Sequence, residues 1–125
     1  MNLKDQSTPV AFIYASDRDR ALGFYCDTLG MGLKSSDPFG DFLDMGGALA
    51  RMTTMPEYRA TGHPALGWDV ADIAAAVRAL REKGVTFPIY DGMGQDADGI
   101  WTAPDGTKVA WFADTEGNVL SLSQT

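Results

Sequence analysis

Few side chains in this 125-residue chain could do chemistry, and their scarcity is itself informative. His63 is the only histidine, and so the one classical proton-transfer base near neutral pH. It stands between Gly62 and Pro64 in an aperiodic stretch, MPEYRATGHP, where a connector residue without a role is the plainer reading. Cys26 is the only cysteine, which excludes an internal disulfide; with no basic neighbour to activate its thiol, it reads as a small buried apolar residue. Asp96-Ala97-Asp98-Gly99 lacks the spaced carboxylates and closing glutamate of a calcium loop, and no phosphate-cradling glycine motif or nucleophile elbow is present. Aromatic surface is more plentiful. Phe12, Tyr14, Trp101 and Trp111 could each stack on a flat ligand. Phe12 and Tyr14 are the stronger candidates; for the two tryptophans core packing is the expectation, as it is for Phe24 and Tyr25.

Bulk properties narrow the partners. With 45% apolar residues, the chain is long enough for one domain with a sizeable core. Ten basic against 17 acidic side chains, net −7, argue against nucleic acid and anionic membrane as partners. The charge is compatible with a cationic ligand, but ordinary solubility is the plainer reading. No long apolar run occurs and Met1–Ser7 is polar, so a cytoplasmic protein is expected.

The elements that must position these residues come in two rounds. Pro9–Ala15 reads as a strand, Ser16-Asp17 as a helix cap, and Arg18–Leu29 as a helix stopped by Gly30. Gly32–Ser36, Asp41–Met45 and Ala48–Thr53 follow as strands. After the connector, Ala65–Val70 is a strand, Asp72 caps a helix with Ile73, Ala76, Val77 and Leu80 on one face, and Gly84 ends it. Strands are then expected at Val85–Ile89, Ile100–Ala103, Lys108–Ala113 and Val119–Ser123, with turns at Pro104-Asp105-Gly106 and Asp114–Asn118.

These rounds look like one unit written twice. Asp114 and Gly117 stand 70 residues after Asp44 and Gly47, and the same offset places Phe112 on Phe42, Leu122 on Met52 and Ser121 on Arg51. The helix caps Asp17 and Asp72 are 55 apart, and the helix-ending Gly30 and Gly84 are 54 apart. The second copy therefore holds about 15 extra residues, assigned to the Asp91–Gly99 loop and the Pro104 turn.

DRDRALGFYCDTLGMGL resembles the helix signature D-x-x-x-S/A-x-x-F-Y-x-D-x-L-G of the vicinal oxygen chelate superfamily, which includes glyoxalase I, bleomycin-resistance proteins, extradiol dioxygenases and fosfomycin-resistance enzymes. WFADTEGNVLSL is similar to that superfamily's closing F-x-D-P-D-G-N-x-x-E-L. The resemblance spans roughly residues 8 to 124. It implies an α+β fold: two tandem βαβββ modules (about 8–54 and 65–124, joined by connector 55–64) forming a curved, barrel-like mixed sheet around a cleft, with helices on the convex face. Residues 1–125 would then be a single domain. Many relatives are homodimers, and a homodimer is expected here.

The resemblance also implies where a metal would sit. Metal-dependent members hold the ion from the first and last strand of each module; those positions fall here on Val10, Arg51, Ala65 and Ser121. Such side chains cannot assemble a divalent site, so no cofactor is expected. Strand parity would put Val10, Phe12, Tyr14, Leu49, Arg51, Ala65, Gly67, Asp69 and Ser121 along the cleft. Arg51 could grip an anion through its planar fork, or merely fill the space in an ion pair with Asp69.

The reading that follows is a glyoxalase/bleomycin-resistance-like protein holding a small planar or anionic molecule in an aromatic cleft without metal. One alternative is a metal-independent isomerase or lyase acting beside a carbonyl, with Arg51 stabilising an oxyanion and Asp69 or His63 as base. A second is a divalent-metal glyoxalase-type lyase with displaced ligands such as His63, Asp69 and Asp91.

Overall fold

The computed structural model describes residues 1–125, which form two compact units, Met1–Arg59 and Ala60–Thr125. The division falls inside the expected connector. No helix is long and apolar enough to cross a membrane.

In the first unit a short helix α1 (Leu3–Gln6) precedes β1 (Val10–Ala15), α2 (Arg18–Gly23), β2 (Gly32–Asp37), β3 (Gly40–Asp44) and β4 (Leu49–Thr54). Asp17 caps α2, its carboxylate accepting the Arg20 N–H at 3.1 Å. The helix does not run as α-helix to Leu29, as its spacing suggested. From Phe24 to Thr28 it widens into a π-helical segment, with the Leu29 N–H donating to the Phe24 carbonyl at 3.0 Å. Gly30, at φ +80°, then ends the helical run as expected.

The strands form one sheet in the order β1-β4-β3-β2, with β1 parallel to β4 and the remaining neighbours antiparallel. Burial alternates along β1: Ile13 and Ala15 are buried while Val10 and Phe12 are exposed. With Ala21, Tyr25, Leu43, Ala50 and Met52 they make the core between sheet and helix. Asp41 is buried too; Ser36 Oγ donates to its Oδ1 at 2.6 Å, and Arg18 Nε lies 3.1 Å from Oδ2, out of line for a hydrogen bond. At Gly40 a β-carbon would run into the Met52 carbonyl oxygen and crowd the Arg51 guanidinium, so only glycine permits the close approach of β3 and β4.

The second unit repeats the order with β5 (Pro64–Asp69), α3 (Ile73–Glu82), β6 (Trp101–Thr102), β7 (Lys108–Ala113) and β8 (Val119–Gln124), arranged β5-β8-β7-β6. Asp72 caps α3 by accepting from the Ala75 N–H, and the Gln124 side-chain oxygen accepts from Ile73 N–H at 2.9 Å. Val85–Ile89, expected as a strand, joins no sheet. Val85 and Phe87 are buried against the core, but Pro88 has no N–H to give a ladder, and the segment passes into the loop before β6. Three strands remain after the helix, as in the first unit. Phe112 anchors this core, with ring centroids of Phe87 at 5.3 Å and Trp68 at 6.4 Å.

The DTEGN turn between β7 and β8 is closed by Asp114. Its Oδ1 accepts from Glu116 N–H and Asn118 N–H, both at 2.9 Å, and its Oδ2 from the Asn118 side-chain amide at 2.8 Å. Asp114 and Asn118 are 7% and 5% exposed, so these bonds are not traded for water. Asp44, the residue 70 positions earlier in the first unit's hairpin, is exposed and accepts from Gly46 N–H. Replacing Asp114 with alanine should therefore cost about 3 kcal/mol, while Asp44→Ala should cost about 1 kcal/mol or less. Urea unfolding of the two variants checks this; equal losses would remove the structural role given to the Asp114 turn.

Candidate functional site

Each sheet has a helix layer on one face and leaves the other open. In the first unit the open face carries Val10, Phe12 and Tyr14 from β1 and Leu49, Arg51 and Thr53 from β4, paired directly in register. The sequence-expected residues Val10, Phe12, Tyr14, Leu49 and Arg51 are thus brought together. Phe12 is 63% exposed, an unusual amount of bare aromatic surface, whereas Tyr14 is half-buried with the Tyr58 ring 5.9 Å away.

Arg51 is engaged by a different carboxylate from the one expected. Its Nη2 donates to Asp37 Oδ1 and Oδ2 at 3.0 and 2.9 Å, and its guanidinium carbon lies 4.7 Å from the centre of the Phe42 ring. Asp69, which had been paired with it, instead accepts from Ser123 Oγ at 3.0 Å and from the Thr125 N–H and hydroxyl at 3.2 and 2.9 Å. The cause is local reach: Asp37 lies at the β2–β3 turn beside Arg51's own strand pair, and Thr125 follows the strand that pairs with Asp69's. The Arg51 side chain is 16% exposed, and its Nη1 is buried without a hydrogen-bond partner.

The second unit's open face carries Gly67 and Asp69 from β5, Ser121 and Ser123 from β8, Trp111 from β7 and Trp101 from β6. Ala65 is exposed at a bulge, because Pro64 pairs with Val119 and Leu66 already with Leu120. A β-carbon at Gly67 would collide with Ser121 Oγ, so the absent side chain is what lets the serine hydroxyl stand over β5. His63 is exposed in the connector, its backbone N–H donating to Thr61 Oγ1.

Trp101 and Trp111 both correct the expectation of core packing. Ala110 and Phe112 face the core, and Trp111 between them pairs with Ser121 on the open face. In the first unit Arg51 pairs with Phe42, so Trp111, not Phe112, is the structural counterpart of Phe42. The second hairpin turn is one residue longer: Asp44 opposes Leu49, whereas Ala113 opposes Val119. A constant offset of 70 therefore mismatches the incoming strand by one position, which exchanges its two faces.

A pocket of about 220 Å³ opens beside Trp111, lined by Gly62, Pro64, Tyr90, Met93, Trp111 and Val119. Tyr90 meets Trp111 edge-on, with centroids 6.3 Å apart and planes at 70°; Trp101 backs Trp111 at 6.3 Å and 36°. Sequence reasoning missed Tyr90 and Met93, the one just before and the other within the Asp91–Gly99 loop to which it assigned the second copy's extra length. The available signal was their apolar character within an otherwise polar, glycine-rich segment.

The family's metal does not fit these residues. Val10 and Ala65 carry no donor atom, Ser121 only a neutral hydroxyl, and Arg51 is a cation already bonded to Asp37. His63, Asp69 and Asp91 form no group able to hold an ion, since no three His, Cys, Asp or Glu side chains gather anywhere for that purpose. Asp69 is also a poor base: bonds from Thr125 and Ser123 hold its carboxyl below the usual carboxylate range.

Asp37 is shifted the same way, first by the Arg51 hydrogen bond and then by the Phe39 N–H. A depressed folded-state pKa stabilises the fold above the ordinary carboxylate range, and that contribution is lost as pH falls through the lowered value. Arg51→Met should therefore flatten the dependence of stability on pH below about pH 4, where unfolded aspartate titrates. Urea midpoints measured across the acid range decide it; parallel profiles for the variant and the parent would sink the latch.

Similarity to known proteins agrees with this architecture. Residues 8–122 match the Glyoxalase/Bleomycin resistance protein/Dioxygenase superfamily. The chain is 32% identical over 132 aligned positions to the uncharacterized protein YurT of Bacillus subtilis (strain 168), covering 92% of this chain and 96% of that one. Among solved structures, a glyoxalase/bleomycin resistance protein/dioxygenase from Alicyclobacillus acidocaldarius superposes with a TM-score of 0.74 at 19% identity, covering 95% of this chain and 91% of that one. A superfamily member from Sphaerobacter thermophilus DSM 20745 gives 0.69 at 26% identity, covering 94% and 96%. The paired strand–helix–three-strand units and a match over nearly the whole chain make this protein a member of the Glyoxalase/Bleomycin resistance protein/Dioxygenase superfamily.

Proposed function

We propose that this protein binds a small planar molecule, without a metal, on the aromatic open face of its second unit. The observation that carries this reading is the Trp111 pocket: an indole turned away from the core, flanked by Tyr90, Met93 and Trp101, beside an opening of about 220 Å³. Stacking against such rings recognises flat ligands through area and quadrupole, and needs no ion. A volume below the usual 300–1,000 Å³ of drug-sized sites suits one ring system, or one end of a longer molecule.

An anionic ligand on the first unit has weaker support. Arg51 Nη1 is left without a hydrogen-bond partner, but it is shut off from solvent, so an anion would first have to displace Asp37 or the Phe42 ring. The isomerase or lyase reading has weaker support, because Asp69 is held ionised by its own neighbours and His63, its other candidate base, is exposed in the connector. The exposed edges β1 and β2 of the first sheet are consistent with the homodimer, which sedimentation would test directly.

Titration with a panel of flat heteroaromatic molecules, following the tryptophan indole signals by NMR, tests the binding reading. Saturable binding should survive a chelator, and Trp111→Ala should weaken it about tenfold or more. Indole signals indifferent to every compound would overturn the proposal, as would binding that requires a retained, near-stoichiometric transition metal.

A further inference from the structure

Resting on that reading of the pocket, we infer that its preferred ligand carries an N-alkylated ammonium group, caged between Tyr90 and Trp111. Three independent observations converge on this chemistry. The two rings stand at 70°, with centroids 6.3 Å apart, and both line the pocket, where Met93 supplies a polarizable thioether beside them. No lysine or arginine lines the pocket. The charge of the unit is also segregated. Its basic side chains are Arg78, Arg81, Lys83 and Lys108, against nine acidic ones. Arg78, Arg81 and Lys83 lie on α3 or at its C-terminal end, and Lys108 lines a separate cavity with the N-terminal turn of that helix. All four therefore belong to the helix side of the sheet.

The open face, by contrast, carries the ionised Asp69, and Asp91 is the chain neighbour of Tyr90. A cation approaching Trp111 enters an acidic unit and meets the rings of Tyr90 and Trp111, with no lysine or arginine in the pocket lining. An alkylated ammonium is favoured over a primary amine, because its methyl groups fill an apolar corner that supplies no carboxylate to accept N–H bonds. The stacking platform and the cation cage are then one device: the flat or apolar part of the ligand lies along the indole, and the ammonium head sits in the corner.

The test compares choline with 3,3-dimethylbutan-1-ol, its uncharged isostere, in NMR titrations of the full chain. Choline should bind more tightly by about threefold to thirtyfold, and the preference should fall with rising salt. Tyr90→Leu keeps an apolar wall but removes one aromatic ring, and should erase most of the preference while retaining the neutral compound. Trp111→Ala should abolish binding of both. Equal affinities for the pair, or tighter binding of the alcohol, would overturn the charge preference, yet leave planar binding intact if the heteroaromatic panel still shifts Trp111. Failure of choline, the alcohol and the panel alike would overturn both readings.

Discussion

Each four-stranded sheet in this protein is covered on one face by a helix layer, and everything else depends on that one-sided burial. A period-two alternation then has only one acceptable register: Ile13 and Ala15, or Ala110 and Phe112, must enter the core. Their alternates are forced onto the other face whatever their character. This explains how Phe12, Arg51 and Trp111 come to occupy open faces in a chain of modest size. Slipping any of these strands by one residue would bury a guanidinium or a serine and expose the core, at a cost no surface contact could offset.

The two units use this shared scaffold differently. In the first, the last-strand position is Arg51, and its guanidinium is consumed in holding Asp37 and lying over Phe42. Gly40 makes room for that arrangement. In the second, the equivalent position is Ser121, small enough to sit over Gly67 and leave Trp111 uncovered beside it. The internal repeat thus keeps its backbone and differs at its last-strand positions, Arg51 and Ser121. One copy has become an internal clasp and the other an aromatic surface.

The Asp114 turn shows why a family signature need not be functional. Its aspartate, glycine and asparagine close a buried hairpin by side-chain-to-backbone bonds, with Gly117 at φ +85° where a β-carbon would be strained. Those residues identify the fold because the fold requires them. The open-face positions, by contrast, are ones the scaffold leaves free to vary.

The sequence by itself determined the order of elements in each unit, the helix caps at Asp17 and Asp72, the superfamily, and the face of β1 and β4 on which Phe12 and Arg51 lie. These follow from local rules: capping chemistry, glycine at helix ends, and strict alternation along a strand. Only the tertiary structure decided the partner of Arg51, since a salt bridge depends on which carboxylate comes within reach, and strand parity pointed to Asp69 while the β2–β3 turn brings up Asp37. It also decided that Val85–Ile89 would pack without pairing, because Pro88 removes a donor that only a neighbouring strand could have used. The placement of Trp111 was lost to the sequence for the smallest reason. One extra residue in a turn exchanges the faces of the strand before it, and the aligned hairpins concealed that residue until their registers could be compared.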